Sequence, residues 1–281
     1  MPWVASGLRG LGPLATHGIL LAYTLLAIAP VLLVVMNSFK QRNAIFNAPF
    51  TPPTSETFDL SGYATVFTQT NALLYFRNSL VVTLISIVLI LLFGAMASFA
   101  LTEYRFPGNT FLTIYMMLGL MIPIRLGTVS ILQLIVDLGL PDTLWGLILV
   151  YIAQGLPLAI FVLSQFMRQV PRDLKEAARI DGASEYRVFR LIFPLTRPAL
   201  ASLAVFIMIP IWNDLWFPLI LTSSEESRTL TLGAQQFLGQ YQTDWSGLLA
   251  MLTLAIVPIV LLYVIFSRQL MRGLTAGAVK S

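Results

Sequence analysis

The sequence predicts an all-α integral membrane protein with six transmembrane helices and both termini on the cytoplasmic side. Three observations carry that expectation. The chain is 57% hydrophobic and only 11% charged, with a mean hydropathy of +0.81, whereas a soluble domain carries roughly 25% charged residues. Apolar runs of about 20 residues, the length that crosses a bilayer core as a helix, recur along it. The cations are also unevenly shared between alternate connecting segments, which fixes orientation by the positive-inside rule. One side holds Arg9, Arg105, Arg168, Arg172, Lys175, Arg179, Arg187, Arg190, Arg197, Arg268, Arg272 and Lys280, and the other only Lys40, Arg42, Arg77 and Arg228.

Composition also excludes. Without cysteine there is neither disulfide nor thiol chemistry. A single histidine, His17, rules out a histidine-based metal cluster. No Gly-x-x-x-x-Gly-Lys exists, and no lysine follows a glycine anywhere, so the chain has no phosphate-cradling loop of its own. The basic pI near 9.5 follows from membrane orientation and needs no nucleic-acid partner. No catalytic residue, metal site or cofactor of this chain is expected.

In chain order, residues 1–16 are short and mixed, and His17–Met36 is the first span. Ala27-Ile28-Ala29 resembles a signal-cleavage site, but Pro30 follows and the apolar run continues through Val35, so the segment reads as retained. Residues 37–74 are polar and proline-rich, an outer segment. The second span runs from Arg77 to about Leu101, and Thr102–Asn109, with Glu103 and Arg105, is a tight inner turn. The third span, about Thr110–Ile135, is expected to be continuous despite Pro123 and Arg125. A short outer loop, Asp137–Thr143, leads to the fourth span, Leu144–Phe166. The fifth, about Ala199–Leu221, carries Pro210, Trp212, Asn213, Asp214 and Pro218. An outer loop at 222–247, a sixth span at Leu248–Phe266 and a tail from Arg268 complete the chain. This divides it into an N-terminal span with its outer segment (1–73), a membrane domain (74–267) and a cytoplasmic tail (268–281). No inverted internal repeat is visible.

Between the fourth and fifth spans, residues 168–198 form the most charged stretch. It reads as helix, turn, helix. Pro171 suits a first helical turn, Asp173 and Glu176 sit early where the helix dipole favours anions, and Gly182 can take the left-handed conformation that ends a helix. Ser184 is placed to cap the second helix. Helical spacing puts Leu174, Ala177, Ala178 and Asp181 on one face, where the alanines would allow another protein to approach closely.

Glu176-Ala177-Ala178 followed by Gly182 resembles the cytoplasmic EAA coupling loop of ABC importer permeases. In that family the proline here standing at 194 usually comes one residue later. Leu138-Gly139-Leu140-Pro141-Asp142-Thr143, Asp181-Gly182-Ala183 and Trp212-Asn213-Asp214 resemble the carbohydrate branch, and Gly273–Lys280 resembles the end of the MalG-type subunit of maltose-like importers. The likeness covers roughly residues 75–281. It implies the type I ABC importer permease fold in a bacterial inner membrane. It also implies a heterodimer with a second, MalF-type permease, two ATPase subunits that carry ATP and magnesium, and an extracytoplasmic binding protein delivering a sugar. Glu176, Ala177, Ala178, Asp181 and Gly182 would couple to the ATPase, and Gly273, Thr275, Gly277 and Lys280 would reach it through the tail.

Other classes stay open on the residues. A polyol or glycerol phosphate could replace the sugar. An ion-coupled secondary transporter tends to carry several intramembrane ionisable groups, whereas only Arg125 and Asp214 lie at depth here. A scaffold without transport fits poorly with the prolines and glycines inside the spans. Counting along straight helices puts Arg125 and Asp214 at the same height, roughly 22 Å above the inner boundary, which allows a pair; the alternative is that Arg125 snorkels outward while Asp214 accepts hydrogen bonds from the neighbourhood of Asn213 or from the partner permease. Together with Trp212 and Asn213 they are the residues expected along a translocation path, with helix packing as the plain alternative for Trp212. Trp3, Trp145, Trp216 and Trp245 stand where interfacial aromatic belts form. Met116, Met117 and Met121 read as gap-fillers.

Overall fold

The computed structural model describes residues 4–239 and 241–278, and no strand occurs among them. Two compact units are present: one contains the described residues up to Thr70 with Ala234–Leu254, the other Asn71–Gly233 with those from Ala255 onward.

The first unit begins with α1 (Val4–Asn37), which is already helical well before His17. Its apolar stretch Ala15–Asn37 is long enough to span a membrane. The segment after it contains two short helices, α2 (Arg42–Asn47) and α3 (Ser61–Gln69), where only turns were expected. Lys40, read from sequence as a plain outer cation, is buried, and its Nζ donates to Asn37 Oδ1 at 3.0 Å and the Ala48 carbonyl at 2.9 Å. Burial lowers its pKa. Phe39 stacks on Phe58 and Tyr63, closing this small knot.

The second unit is built on α4 (Ala72–Glu103) and α7 (Leu144–Gln169). The two cross closely because small residues meet large ones. A Cβ on Gly94 would come within 2.7 Å of Ala159 Cβ, and one on Gly155 within 2.5 Å of Ile90. In lipid, where apolar burial gives no net drive between helices, such close backbone approach and interhelical hydrogen bonds are what hold a pair together. Ser98 Oγ supplies one, donating 3.1 Å to the Ile160 carbonyl. Ile90, Leu147, Tyr151, Leu163 and Met167 are buried there.

The third expected span is not one rod. It is α5 (Asn109–Met121), a 3-10 turn at Ile124–Gly127 and α6 (Thr128–Asp137), bent by 90°. Pro123 is the cause: it forces Ile122 into extended backbone (ψ 118°) and removes the N–H that would continue the helix. The straight-helix depth count for Arg125 therefore does not hold.

The connecting segment contains α8 (Arg172–Ile180) and α9 (Glu185–Ile192), followed by a 3-10 turn at Phe193–Thr196. The fifth expected span is also interrupted. α10 (Arg197–Trp212) ends at Asn213, and α11 (Trp216–Leu221) starts after the polar Asn213-Asp214 pair. Then come α12 (Leu230–Ala234) and α13 (Trp245–Ala278). The last helix contains the sixth expected span and runs on through most of the stretch read as a tail. Among the described residues four helices are long and apolar enough to cross a membrane, five if the bent pair counts as one span.

Candidate functional site: a coupling hairpin and a polar cluster

α8 and α9 form a hairpin whose turn is fixed by Gly182, at φ +77°. Its N–H donates to the Arg179 carbonyl and that of Ala183 to the Ala178 carbonyl, 3.0 and 2.9 Å, the paired closure of a Schellman motif. Asp173 lies in the first turn and Arg179 in the last, each complementing the helix dipole. Two details differ from the sequence reading. Pro171 stands just before the first helical residue, and the Ser184 hydroxyl makes no capping bond, although Ser184 occupies the cap position.

The inner face of the hairpin is locked by charge. Lys175 is buried, and its Nζ donates to Glu103 Oε1 and, at 3.3 Å, to the Met167 carbonyl. Arg179 donates Nε to Glu185 Oε1 at 2.7 Å and Nη2 to Glu185 Oε2 at 3.0 Å, and it reaches Glu103 Oε2 at 3.5 Å. The two carboxylates hold the guanidinium firmly in its charged form. Tyr104 donates to Glu185 at 3.3 Å. Below this ladder Val188 and Ile192 are fully buried, and Phe189 meets Phe99 edge-on. The hairpin is thus a rigid attachment on the end of α4. Its outer side presents Glu176, Ala177, Asp181 and Gly182, all exposed, with Ala178 half-buried and Ile180 85% exposed. An isoleucine so bare beside alanines is a surface suited to being covered. Glu103 and Lys175 were noted in the sequence only as topological charges; their pairing across 72 residues leaves no local signal.

The second constellation centres on Asp214, whose carboxylate is nearly buried. It accepts from the Tyr151 hydroxyl at 2.9 Å and from the backbone N–H groups of Trp216 and Phe217 at 3.3 and 3.1 Å, thereby closing the start of α11. Arg125 Nη2 lies 3.6 Å from Asp214 Oδ1. Its guanidinium also sits over the Trp216 ring, 5.7 Å from the centroid, and Trp216 Nε1 donates to Thr128 Oγ1 at 3.0 Å. Of the two alternatives the structure has the pair, brought together by two helix breaks and not by matched depth on straight rods. Asn213 is exposed and caps its own helix through the Ile209 carbonyl. Trp212 is buried, packs edge-on against Phe76 and donates to the Ala255 carbonyl, so the plain packing alternative describes it. Trp216, assigned above to an aromatic belt, is the partly exposed indole of this cluster. Tyr151 was missed; a lone tyrosine inside an apolar run was its only sequence signal.

A third feature lies between α6 and α7. Asp142 adopts φ +56°, and its carboxylate accepts from the Ser223 and Ser224 N–H groups at 2.8 and 3.0 Å and from the Ser227 hydroxyl. Burial would raise its pKa, but these donors outweigh it and hold the carboxyl well below the usual range. Gly273, Thr275 and Gly277 lie on α13, and Lys280 falls outside the described residues.

The hairpin thus shows Glu176 and Ala177 on its outer side and is locked onto a bundle with broken spans. Residues 90–275 match the family described as binding-protein-dependent transport system inner membrane component. The chain belongs to that family. It is a transporter permease, not an enzyme. Among its relatives, the diacetylchitobiose uptake system permease protein NgcG of Streptomyces coelicolor is 34% identical, over 93% of this chain and 87% of that one. The trehalose transport system permease protein SugB of Mycobacterium tuberculosis is 35% identical, over 90% and 93%. The fold is that of a permease from a bacterial ABC transporter importing the acidic polysaccharide alginate, with a TM-score of 0.76 at 19% identity over 94% of this chain and 97% of that one.

Proposed function

We propose that the chain is one of two permease subunits of a sugar importer in a bacterial inner membrane, with six spans and both termini cytoplasmic. Glu176, Ala177, Ala178, Asp181 and Gly182 dock on a separate ATPase that binds ATP and magnesium. An extracytoplasmic binding protein delivers the sugar, and a MalF-type permease completes the path. The observation that carries this reading is the exposed face of Glu176, Ala177 and Ile180 on a hairpin that Glu103 locks to α4. Any push on α8 is passed to α4 with little slack. The cation bias of the inner segments supports the orientation, and the relatives named for chitobiose and trehalose support the sugar.

The substrate path runs past Arg125, Asp214 and Trp216, with Asn213 beside them. Polar groups at helix breaks are tolerated in lipid only where protein or a wet cavity surrounds them. The segment carrying Gly273, Thr275, Gly277 and Lys280 contacts the ATPase. Uptake of labelled mono- and disaccharides by cells with and without this gene tests the reading. ATP-dependent uptake of at least one sugar that disappears with the gene is expected. Loss of a non-sugar solute alone, or uptake driven by an ion gradient through this chain without an ATPase, would overturn it.

A further inference from the structure

At the end of the bundle that carries the hairpin, three arginines converge without an acidic partner. Arg105 follows α4, Arg168 lies in the last turn of α7 and Arg172 opens α8; all three are exposed, and none forms an ion pair among the described residues. They line one cavity of about 500 Å³ with Tyr104 and Phe106. They also line a neighbouring cavity of about 410 Å³ together with Glu176 and with Glu103, which is already engaged by Lys175 and Arg179. Beside Arg168 a small crevice of about 20 Å³ separates α5 from α7, and around it Ile114, Tyr115, Leu118 and Phe161 are exposed. A cluster of guanidinium groups beside an exposed apolar helix face matches the polarity of a phospholipid. Arginine suits phosphate because its planar fork donates two hydrogen bonds at once.

We propose that this is a binding site for an anionic phospholipid of the inner leaflet, its phosphate held by Arg105, Arg168 and Arg172 and one acyl chain lying against α5 and α7. The positive-inside rule explains cations on this side, but not their convergence on one cavity beside an exposed apolar helix face. The site rests on the orientation given above. The phosphate is placed in the cavity lined by Tyr104 and Phe106, which Glu176 does not line, so a bound lipid would sit beside α8 while the ATPase is docked.

The test uses the complete importer in nanodiscs mixing phosphatidylglycerol with phosphatidylcholine, with retained lipid read by native mass spectrometry. Phosphatidylglycerol should be kept in preference to phosphatidylcholine. Each Arg→Gln change should cut that preference roughly fivefold, and the triple change more than about a hundredfold. The triple Arg→Lys variant should keep part of it, and Arg42→Gln, on the outer side, all of it. Equal retention of both lipids, or an unchanged triple Arg→Gln variant, would overturn the proposal. Displacement of the lipid by inorganic phosphate alone would point to a soluble anion, and lost ATPase copurification with lipid retention intact would point to a protein-docking surface; either refutes it. Failure of the unsubstituted chain to copurify an ATPase would count separately, against the importer reading.

Discussion

Removing the charge of Glu103 should loosen the hairpin without disturbing its outer face. In Glu103→Gln the buried Lys175 ammonium loses its counter-charge and keeps the Met167 carbonyl, while Arg179 keeps Glu185. Breaking one side of a buried pair costs about 3–5 kcal/mol, because an uncompensated charge stays behind. Glutamine still offers one oxygen, so the low end, about 3 kcal/mol, applies here. That corresponds to a shift of roughly a hundredfold in the balance between docked and undocked hairpin. The chain has no cysteine, so one placed at Val188, which is fully buried under the ladder, is its only thiol. Maleimide labelling of Val188→Cys should speed up by about that factor in Glu103→Gln. Adding Lys175→Met should slow it again, since replacing both partners with neutral groups removes the stranded charge. Labelling that ignores Glu103→Gln, or a double variant that opens as easily as the single one, would refute the locked-lever account.

Gly182→Val should impair binding-protein-stimulated ATP hydrolysis more than Ala183→Val. Its added Cβ meets nothing within 4 Å, so the cost is backbone strain at φ +77° alone, about 1–3 kcal/mol, and both variants should reach the membrane. Arg125→Ala and Asp214→Ala should each reduce transport, and the charge swap should restore part of it; full activity in either single variant would remove the pair from the path. Asp142→Ala should lower the melting temperature more than Asp142→Asn, because asparagine keeps an acceptor and tolerates positive φ. The Asp142 contribution is complete above the ordinary carboxylate pKa and fades only as pH falls through its lower folded value. The wild-type advantage should therefore be flat from about pH 8 to about pH 5, and a loss of that advantage within this window would contradict the assignment.

How far the sequence could be read differed by element. Hydropathy located α4, α7 and the apolar part of α1, because a long apolar run has one outcome in a bilayer. It did not locate the two breaks. Pro123 and Asn213-Asp214 were visible, but their apolar flanks sum to a span's length either way. The candidate docking face could be singled out because its pattern is local: Glu176, Ala177 and Ala178 on one short helix, with Asp181 and Gly182 in the turn that ends it. The ladder beneath it was not, since Glu103 and Lys175 each look like an ordinary inner-side charge until the fold sets them together. Asp214 could be suspected from its depth, whereas Tyr151 gave no reason to be chosen over other tyrosines.

The 90° bend between α5 and α6 also bears on how the chain enters its membrane. Their 13 and 10 residues rise about 20 and 15 Å, each short of a core about 30 Å thick. Insertion machinery that weighs about 20 apolar residues at a time therefore receives the two as a single segment. The corner then forms after delivery, once α7 and α11, which pack against α5 and α6, have arrived. A late step in biogenesis, dependent on helices made afterwards, is thus written into the middle of the polypeptide. Chains arrested before α11 is synthesised should hold Arg125 on a straight rod, not yet turned toward its carboxylate.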